Sequence, residues 1–364
     1  MADEPITPYD DLPLLPPPSE VFESVEVYRA LGKAKASLAE LKGRLPVIPN
    51  PLMLINTLVL QEARDSSSIE NIFTTSDKLY RAFSSSSAGV DPATKEVLRY
   101  REALWNAHLS LEAGEKLDRD LIVTIFQKIT GKEEGVREVQ NYIGNAFTTI
   151  YTPPSPGKIL DSKLDNLIEY IEAKNGVDPL IKLAIIHYQF EAIHPFTDGN
   201  GRTGRILNVV YLTQNDLLEW PVLYLSKYIL DNKPEYYRLL KSVTENSEWS
   251  KWILFILKAI DETSLFTLRK VNAIYDLFNQ TKELIQREDK TIYSYELMEA
   301  LFSQPYVKIG VLVDRGIASR NTASKYLRRL IELGVLSASS EGRDTLYLNT
   351  RLYELLSKGV ASAQ

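Results

Sequence analysis

The fold of this chain is decided by one stretch, His194-Pro-Phe-Thr-Asp-Gly-Asn-Gly-Arg-Thr-Gly-Arg205. The preceding run, Leu180 to Ile193, is apolar nearly all round, which is typical of a helix buried at the centre of a bundle. A second apolar run, Ile206 to Leu212, follows the stretch. Because Pro195 cannot continue the first helix, we predict a polar helix–loop–helix joint inside a mostly α protein.

The joint has the composition of a phosphate-binding loop. The glycines of Gly199-Asn200-Gly201 adopt positive φ at little steric cost, so consecutive backbone N–H groups can converge on an anion. The loop opens onto the N-terminus of the next helix, whose unpaired N–H groups and positive dipole end favour a phosphate. Arg202 and Arg205 lie on the first turn of that helix, and each guanidinium matches phosphate oxygens.

Two further side chains beside the loop suit chemistry on a bound phosphate. Asp198 offers a hard oxygen ligand for a Mg²⁺ ion that keeps most of its waters and bridges phosphates. His194, with an unperturbed pKa of about 6.5, can remove a proton from an attacking hydroxyl near neutral pH. The stretch therefore predicts a site with a base, a metal ligand and phosphate-binding groups.

Other interpretations of these residues are weaker. Gly199, Gly201 and Gly204 fit G-x-G-x-x-G, but that pattern binds dinucleotides only after a strand, and a helix precedes it here. The chain has no G-x-x-x-x-G-K-[ST] motif, which excludes a P-loop kinase or ATPase. A plain tight turn would not account for the adjacent arginines and histidine. The remaining histidines, His187 and His108, are interpreted as core side chains.

The stretch resembles the signature of the Fic family, H-x-F-x-[DE]-G-N-G-R-x-x-R. Every fixed position is matched, by His194, Phe196, Asp198, Gly199, Asn200, Gly201, Arg202 and Arg205. The resemblance covers residues 90–260 and implies a helical core with a short β-hairpin flap. Residues Val136 to Tyr151 resemble that flap, which aligns the target segment.

The resemblance implies transfer of AMP from ATP to a Tyr, Thr or Ser hydroxyl of a target protein or of the enzyme itself. His194 would be the base and Asp198 the Mg²⁺ ligand. Tyr236 and Tyr237 resemble the family's adenine-pocket tyrosines, although a packing role would explain them equally well. The implied nucleotide-binding residues are Gly199, Asn200, Gly201, Arg202, Thr203, Gly204, Arg205 and Tyr237.

A second resemblance lies upstream, at Ser66-Ser-Ser-Ile-Glu70-Asn71. It resembles the inhibitory motif [ST]-x-x-x-E-[GN] of Fic proteins that carry their own N-terminal inhibitory helix. Glu70 is a carboxylate suited to pair with Arg205, and the pair would occupy the group meant for the γ-phosphate. ATP would then bind in a pose unfit for in-line attack. The alternative is that Ser66 and Glu70 are ordinary helix-start and surface residues.

Composition narrows the classes of protein to consider. The 364 residues include no cysteine, which excludes disulfides, thiolate metal sites and thiol nucleophiles. Only three histidines are available for imidazole chemistry. No apolar run is long enough to span a bilayer and no signal peptide is evident, so we expect a cytoplasmic protein without a membrane segment. A net charge of −6 confines any nucleic-acid role to a local module.

We predict four segments along the chain. Residues 1–20 hold six prolines and form an arm, and residues 21–90 form the N-terminal helices that include the inhibitory helix. Residues 91–275 form the Fic core, and residues 291–364 form a winged helix-turn-helix. Charged residues between Lys258 and Lys290 predict a solvated helix before the last segment.

The last segment is predicted to contain three helices and a β-hairpin, which resembles a winged helix-turn-helix. Residues 319–334 carry four basic side chains and one acidic one, so residues 319–333 are a candidate DNA contact. A solvated basic helix or a protein-docking module would have the same composition.

Several functions stay open on the sequence alone. A Fic enzyme that transfers another phosphate-linked group, a protein de-adenylylase and a non-catalytic DNA-binding regulator are the alternatives to an adenylyltransferase. The target protein is unknown, and a homodimer is one expectation for the assembly.

Overall fold

A computed structural model describes residues 7–47, 51–84, 89–144, 149–341 and 344–358. Its strands are β1 (Ile143–Gly144), β2 (Thr149–Tyr151), β3 (Tyr306–Val307), β4 (Ser337–Glu341) and β5 (Asp344–Leu348). The helices are α1 (Val25–Arg44), α2 (Pro51–Ile69), α3 (Ser76–Ser84), α4 (Pro92–Glu112), α5 (Arg119–Thr130), α6 (Lys158–Glu172), α7 (Pro179–Ile193), α8 (Asn200–Gln214), α9 (Leu225–Asp231), α10 (Lys233–Asn246), α11 (Trp249–Glu288), α12 (Tyr295–Phe302), α13 (Ile309–Asp314), α14 (Arg320–Glu332) and α15 (Thr350–Lys358). The mostly α fold class is therefore confirmed.

The chain divides into two compact units. The first comprises residues 1–39, 65–72 and 99–264, and the second comprises residues 40–64, 73–98 and 265–364. The division into four segments made from the sequence stays a prediction. None of the described helices combines the length and apolar character that a bilayer span requires.

Helix α7 is the centre of the first unit. Thirteen of its fifteen residues are buried, as its nearly uninterrupted apolar sequence predicts. Asp178 caps its start by accepting a hydrogen bond from the N–H of Leu180 at 3.0 Å, and Pro179 occupies the first helical position. It packs between α6 and α8, so its end, where the candidate site lies, is set in a rigid core.

Two helices of this unit, α5 and α6, are not predicted by the sequence analysis. Their ends are satisfied locally: Asp118 caps α5 by accepting from the N–H of Leu121, and Gly131 ends it in the left-handed conformation. At the end of α6, the buried Lys182 donates to the carbonyl of Ala173 at 2.6 Å. Both helices bury one apolar face against the helices that carry the candidate site.

The proline-rich arm has no regular helix or strand within residues 7–18. It is nevertheless anchored on the first unit, because Leu12 and Leu15 are buried and the N–H of Leu15 donates to Asn166 Oδ1 at 2.7 Å. The N–H of Tyr9 donates to the carbonyl of Thr152 at 3.0 Å. The arm thus contacts the segment that follows the flap.

The predicted flap is an antiparallel hairpin in which β1 pairs with β2. Its tip, residues 145–148, lies outside the described residues. Val139, Tyr142 and Ile150 are exposed apolar side chains on and beside these strands. The predicted hairpin between Val136 and Tyr151 is confirmed for its described part.

In the second unit, α12, α13 and α14 are accompanied by a three-stranded antiparallel sheet of order β3-β5-β4. The predicted terminal hairpin is formed by β4 and β5, and the short strand β3 is an addition to the predicted elements. The assignment of this part as a winged helix-turn-helix stays a prediction.

The prediction of a solvated helix between Lys258 and Lys290 is wrong for one face of that helix. In the part of α11 that belongs to the second unit, Val271, Ile274 and Phe278 are buried. These apolar positions recur at three- and four-residue spacing, so α11 is an amphipathic helix with a buried stripe. The charged residues of this segment conceal the buried apolar stripe in the sequence pattern.

Burial of α7 on all sides predicts a specific pattern of stability losses. Leu183 and Ile185 lie on nearly opposite faces of α7 and are both fully buried. Replacing either with alanine is expected to lower the free energy of unfolding by about 2–5 kcal/mol in urea titrations, because each leaves a cavity. Ile159, which is 38% exposed on α6, is the matched control, and Ile159→Ala should cost less than about 1 kcal/mol. A neutral effect at Leu183 or Ile185 would contradict burial of that face.

Candidate active site

The backbone of the joint between α7 and α8 is set by two left-handed residues. His194 ends α7 with φ 50° and ψ 60°, and its N–H donates to the carbonyl of Phe190 at 3.0 Å. Gly199 precedes α8 with φ 73°, where glycine is favoured because it has no Cβ. The buried Asn200 side chain accepts from the N–H of Phe196 and donates to its carbonyl, each at 2.8 Å. Asn200 therefore holds the loop closed and contributes its own backbone N–H to the first turn of α8.

The His194 imidazole is neutral at pH 7, as a general base has to be. Burial, and to a smaller extent the charge of Arg137, lower its pKa to about 4 against the raising effects of the Glu191 carbonyl, Glu70 and Asp198. Its Nδ1 lies 3.3 Å from the carbonyl oxygen of Glu191. When Nδ1–H donates to this carbonyl, Nε2 is the unprotonated nitrogen that can accept a proton.

Arg205 is the best-buried charge of the site, with a side chain that is 1% exposed. Its Nε donates to Ser66 Oγ at 2.8 Å, and its Nη2 donates to Ser66 O at 3.0 Å and to Glu70 Oε1 at 2.7 Å. Burial alone would raise the pKa of Glu70, but the charge and hydrogen bond of Arg205 outweigh it and hold that pKa below its ordinary value. The structure thus brings Ser66, Glu70 and Arg205 together.

The turn that ends α2 positions Glu70. The N–H groups of Glu70 and Ile72 both donate to the carbonyl of Ser67, at 3.1 and 3.0 Å. Asn71 has φ 61°, a conformation that Asn and Gly tolerate best, so it serves the turn. Lys233 Nζ donates to the carbonyl of Ile69 at 2.6 Å and closes the end of α2.

Asp198 and Arg202 lie at the mouth of the loop. The Asp198 carboxylate is 65% exposed, and its Oδ1 accepts from the N–H of Gly199 at 2.6 Å and lies 3.5 Å from Arg202 Nη2. Among the described residues no group of three or more His, Asp, Glu or Cys side chains could hold a metal by itself. A single exposed carboxylate still fits Mg²⁺, which usually takes one or two carboxylates together with waters and phosphates.

Thr203 and Gly204 face the protein interior. Thr203 is fully buried in α8, and its N–H donates to the carbonyl of Gly199 at 2.9 Å. A Cβ on Gly204 would lie 2.6 Å from Glu191 Oε1 and 3.0 Å from Phe190 Cδ1. Gly204 therefore allows α8 to approach α7 closely, which sets the position of Arg205 one residue later.

The two tyrosines of α10 have different environments. Tyr236 is buried, and its hydroxyl lies 3.0 Å from His187 Nε2. Tyr237 is 44% exposed, and partial burial followed by the charge of Glu70 raises its pKa to about 12. Of the pair, Tyr237 is the one that a ligand at this site can reach.

The other two histidines are core side chains, as predicted. His187 is 1% exposed and stacks on Trp252 with ring centroids 5.7 Å apart. His108 is 2% exposed, and its ring centroid lies 5.6 Å from that of Trp105.

Three residues of the site are missed by the sequence analysis. Arg137 donates to the carbonyl of His194 at 2.9 Å, and Asn141 Nδ2 donates to the carbonyl of Phe196 at 2.8 Å. Glu191 interacts electrostatically with Arg205, and its Oε1 is buried without a hydrogen-bond partner among the described residues. The signal for Glu191 is present in the sequence, since it is the single acidic residue of α7, a helix that is apolar nearly all round. Arg137 and Asn141 carry no comparable local signal.

Taken together, the fold and the site define a helical protein with a histidine beside a glycine-led helix N-terminus that carries two buried arginines. Three family models match the chain in order. The Fic/DOC family N-terminal model matches residues 28–108, and the Fic/DOC family model matches residues 112–212. A model described as the C-terminal domain of SoFic-like protein adenylyltransferases matches residues 277–352. The chain belongs to the Fic/DOC family.

Curated proteins of similar sequence match part of this chain. The protein adenylyltransferase fic-1 of Caenorhabditis elegans is 31% identical over 109 residues, which are 28% of this chain and 20% of that protein. A probable protein adenylyltransferase of Aquifex aeolicus is 28% identical over 196 residues, 54% of this chain and 55% of that protein. The chain thus spans about half or less of the length of these relatives.

Solved structures share the fold. A Fic family protein from Desulfovibrio desulfuricans superposes with a TM-score of 0.56 at 18% identity, over 88% of this chain and 95% of that one. Fic-1 from C. elegans superposes with a TM-score of 0.54 at 18% identity, over 69% of this chain and 74% of that one.

The buried carboxyl of Glu191 predicts a pH-dependent difference in stability. Burial raises its pKa to about 7, against the lowering effect of Arg205. The folded protein therefore keeps this proton between pH 4.5 and 7 while the unfolded chain loses it, so the stabilisation present below pH 4.5 is lost as the pH rises through 7. Because Glu191→Gln is neutral throughout, its free energy of unfolding should rise relative to wild type by up to about 1.4 kcal/mol per pH unit in this window. Parallel curves for the two proteins in urea titrations would contradict the shift.

Proposed function

We propose that this protein is an adenylyltransferase that moves AMP from ATP to a Tyr, Thr or Ser hydroxyl of a protein and is inhibited by its own Glu70. One observation carries the proposal: Glu70 is bound to the buried Arg205 in the same site as His194 and the glycine loop. The family membership and the names of the curated relatives support the same activity.

The His194 imidazole is the proposed base. With its pKa lowered to about 4, it is neutral at pH 7 and ready to accept the proton of an attacking hydroxyl at Nε2. The hydroxyl oxygen bonds to the α-phosphorus of ATP while the bond from that phosphorus to the bridging oxygen breaks. Pyrophosphate leaves with the electron pair, and the protein retains AMP in a phosphodiester linkage.

The first turn of α8 is the proposed phosphate site. Its N-terminal N–H groups and positive dipole end would attract the phosphates, and Arg202 and Arg205 add two charges that are both buried. Asp198 would hold Mg²⁺, which offsets phosphate charge when it is bound. The positive charges of α8 would thus lie where negative charge develops on the pyrophosphate leaving group.

Glu70 inhibits by occupying Arg205. A carboxylate on this guanidinium removes the donor that would orient the γ-phosphate, and its negative charge repels that phosphate in a poorly solvated site. ATP held without this contact is not aligned for in-line attack, and alignment of the reacting groups is worth about 7–11 kcal/mol of the barrier in intramolecular models. Removal of the Glu70 carboxylate is therefore activating.

The exposed cations of α14 support a second, separate proposal of nucleic-acid contact. Arg320, Lys325 and Arg328 are exposed, whereas Arg329 is paired with Asp289 and Glu332. Phosphate contacts by the exposed cations would make affinity for duplex DNA fall steeply with salt. Salt-independent or absent binding in a mobility-shift titration would remove this proposal.

Two substitutions at the inhibitory contact are expected to activate the protein to different degrees. Glu70→Gly removes the ion pair with Arg205 and should raise the rate of AMP addition by about 10–100-fold, the value of a charge-assisted hydrogen bond. Ser66→Ala removes only the bond from Arg205 Nε and leaves Glu70 and the Ser66 carbonyl in place, so its effect should be several-fold smaller. Intact-mass measurement after incubation with Mg²⁺ and ATP follows the added AMP.

The control is Glu70→Gly combined with His194→Ala, which should add no AMP because the base is missing. Parallel incubations with UTP and CDP-choline identify the donor. Unchanged mass for Glu70→Gly with every donor would overturn the proposed function, and loss of AMP from a pre-modified protein would reassign it as a de-adenylylase.

A further inference from the structure

The carbonyl oxygens of residues 192–197 all accept hydrogen bonds from the flap and the segment leading into it. Tyr151 Oη donates to Ala192 O at 2.7 Å, and Asn141 Nδ2 donates to Phe196 O and Thr197 O at 2.8 and 3.3 Å. The three carbonyls between them are all bound by Arg137. Residues 192–197, which include His194, therefore share one continuous set of hydrogen bonds with the flap and the segment leading into it.

Arg137 is the centre of this set. Its Nε donates to His194 O at 2.9 Å, its Nη2 reaches Ile193 O at 3.5 Å, and its backbone N–H donates to Pro195 O at 2.9 Å. The same guanidinium donates to Val139 O at 3.1 Å and to Pro154 O at 2.5 Å, on the two sides of the hairpin. The Arg137 side chain thus binds both the backbone of His194 and both ends of the flap.

The need for these donors follows from the way α7 ends. The last carbonyls of a helix have no partners within the helix, and Pro195 prevents the chain from continuing it. His194 is then held at φ 50°, a conformation that is uncommon for a side chain of its size. Arg137 is 3% exposed and retains its charge at neutral pH, because burial lowers its pKa only to about 10. A buried guanidinium with several carbonyl acceptors can hold such a backbone in one geometry.

We propose that Arg137 is a positioning residue that fixes the His194 ring relative to the flap, so that a target segment on the flap and the base share one geometry. This inference rests on the proposed function. The phosphate-binding groups belong to α8 and to α2, and the hydrogen bonds of Arg137 go to neither. Loss of Arg137 should therefore slow the chemical step without weakening nucleotide binding.

The test compares Arg137→Ala and Arg99→Ala, each in the Glu70→Gly chain. Arg99 is a matched control, because its Nε donates to a helix-terminal carbonyl of the same unit, Ile129 O at 3.1 Å, which belongs to α5 and not to residues 192–197. We expect Arg137→Ala to lower kcat for AMP addition by about 100-fold, the cost of a misplacement of about 1 Å. The Kd for the non-hydrolysable α,β-methylene-ATP with Mg²⁺ should stay within about twofold, as for independent sites. Arg99→Ala should change neither quantity.

Hydrogen exchange gives a readout that does not need activity. In Arg137→Ala, amide exchange should accelerate in residues 137–144 and 192–198 and stay unchanged in α8. Unchanged kcat, or a parallel loss of kcat and nucleotide affinity with faster exchange throughout the first unit, would overturn the positioning role. If the Glu70→Gly parent adds no AMP, the proposed function fails independently of Arg137. Hydrogen exchange then still tests the link between Arg137 and the loop. Faster exchange confined to residues 137–144 and 192–198 supports that link, and unchanged exchange in these two segments overturns it.

Discussion

The buried guanidinium of Arg205 is the constraint on which the whole site depends. A charge that is 1% exposed must be paired, because an unpaired buried charge costs several kcal/mol. In this structure the partners are Glu70 and Ser66, both from the end of α2. If they withdraw, the same charge favours another anion, and a phosphate at the start of α8 is the nearest chemical equivalent. Under the proposed function, Glu70 and the γ-phosphate of ATP would thus compete for one cation.

The second constraint is the sharp end of α7. Pro195 and the left-handed His194 leave a row of backbone carbonyls without helical partners, and an unsatisfied buried polar group costs about 1–3 kcal/mol. Arg137, Asn141 and Tyr151 satisfy them from the flap segment. The requirement for backbone hydrogen bonding therefore joins the loop that carries His194, the proposed base, to the flap that is expected to receive the target.

Local chemistry was predictable from the sequence, whereas contacts between distant residues were not. The glycine loop, its arginines and Pro195, which prevents α7 from continuing, lie within twelve residues. In the structure they form a helix–loop–helix joint. The pairing of Glu70 with Arg205 spans 135 positions and was predicted only because a motif resemblance pointed to it. Arg137 spans 57 positions to His194 without such a motif and was missed. The buried stripe of α11 was missed because its charges dominate the sequence pattern.

The proposed competition between Glu70 and the γ-phosphate for Arg205 is tested most directly by the discrimination between ATP and ADP, measured by calorimetry in a His194→Ala background that is expected to prevent turnover. With Glu70 present, the two nucleotides should bind with similar Kd, because the group for the γ-phosphate is occupied. With Glu70→Gly, ATP should bind about 10–100-fold more tightly than ADP, and Arg205→Ala should abolish the difference. An ATP-to-ADP ratio that does not change when Glu70 is removed would contradict the account.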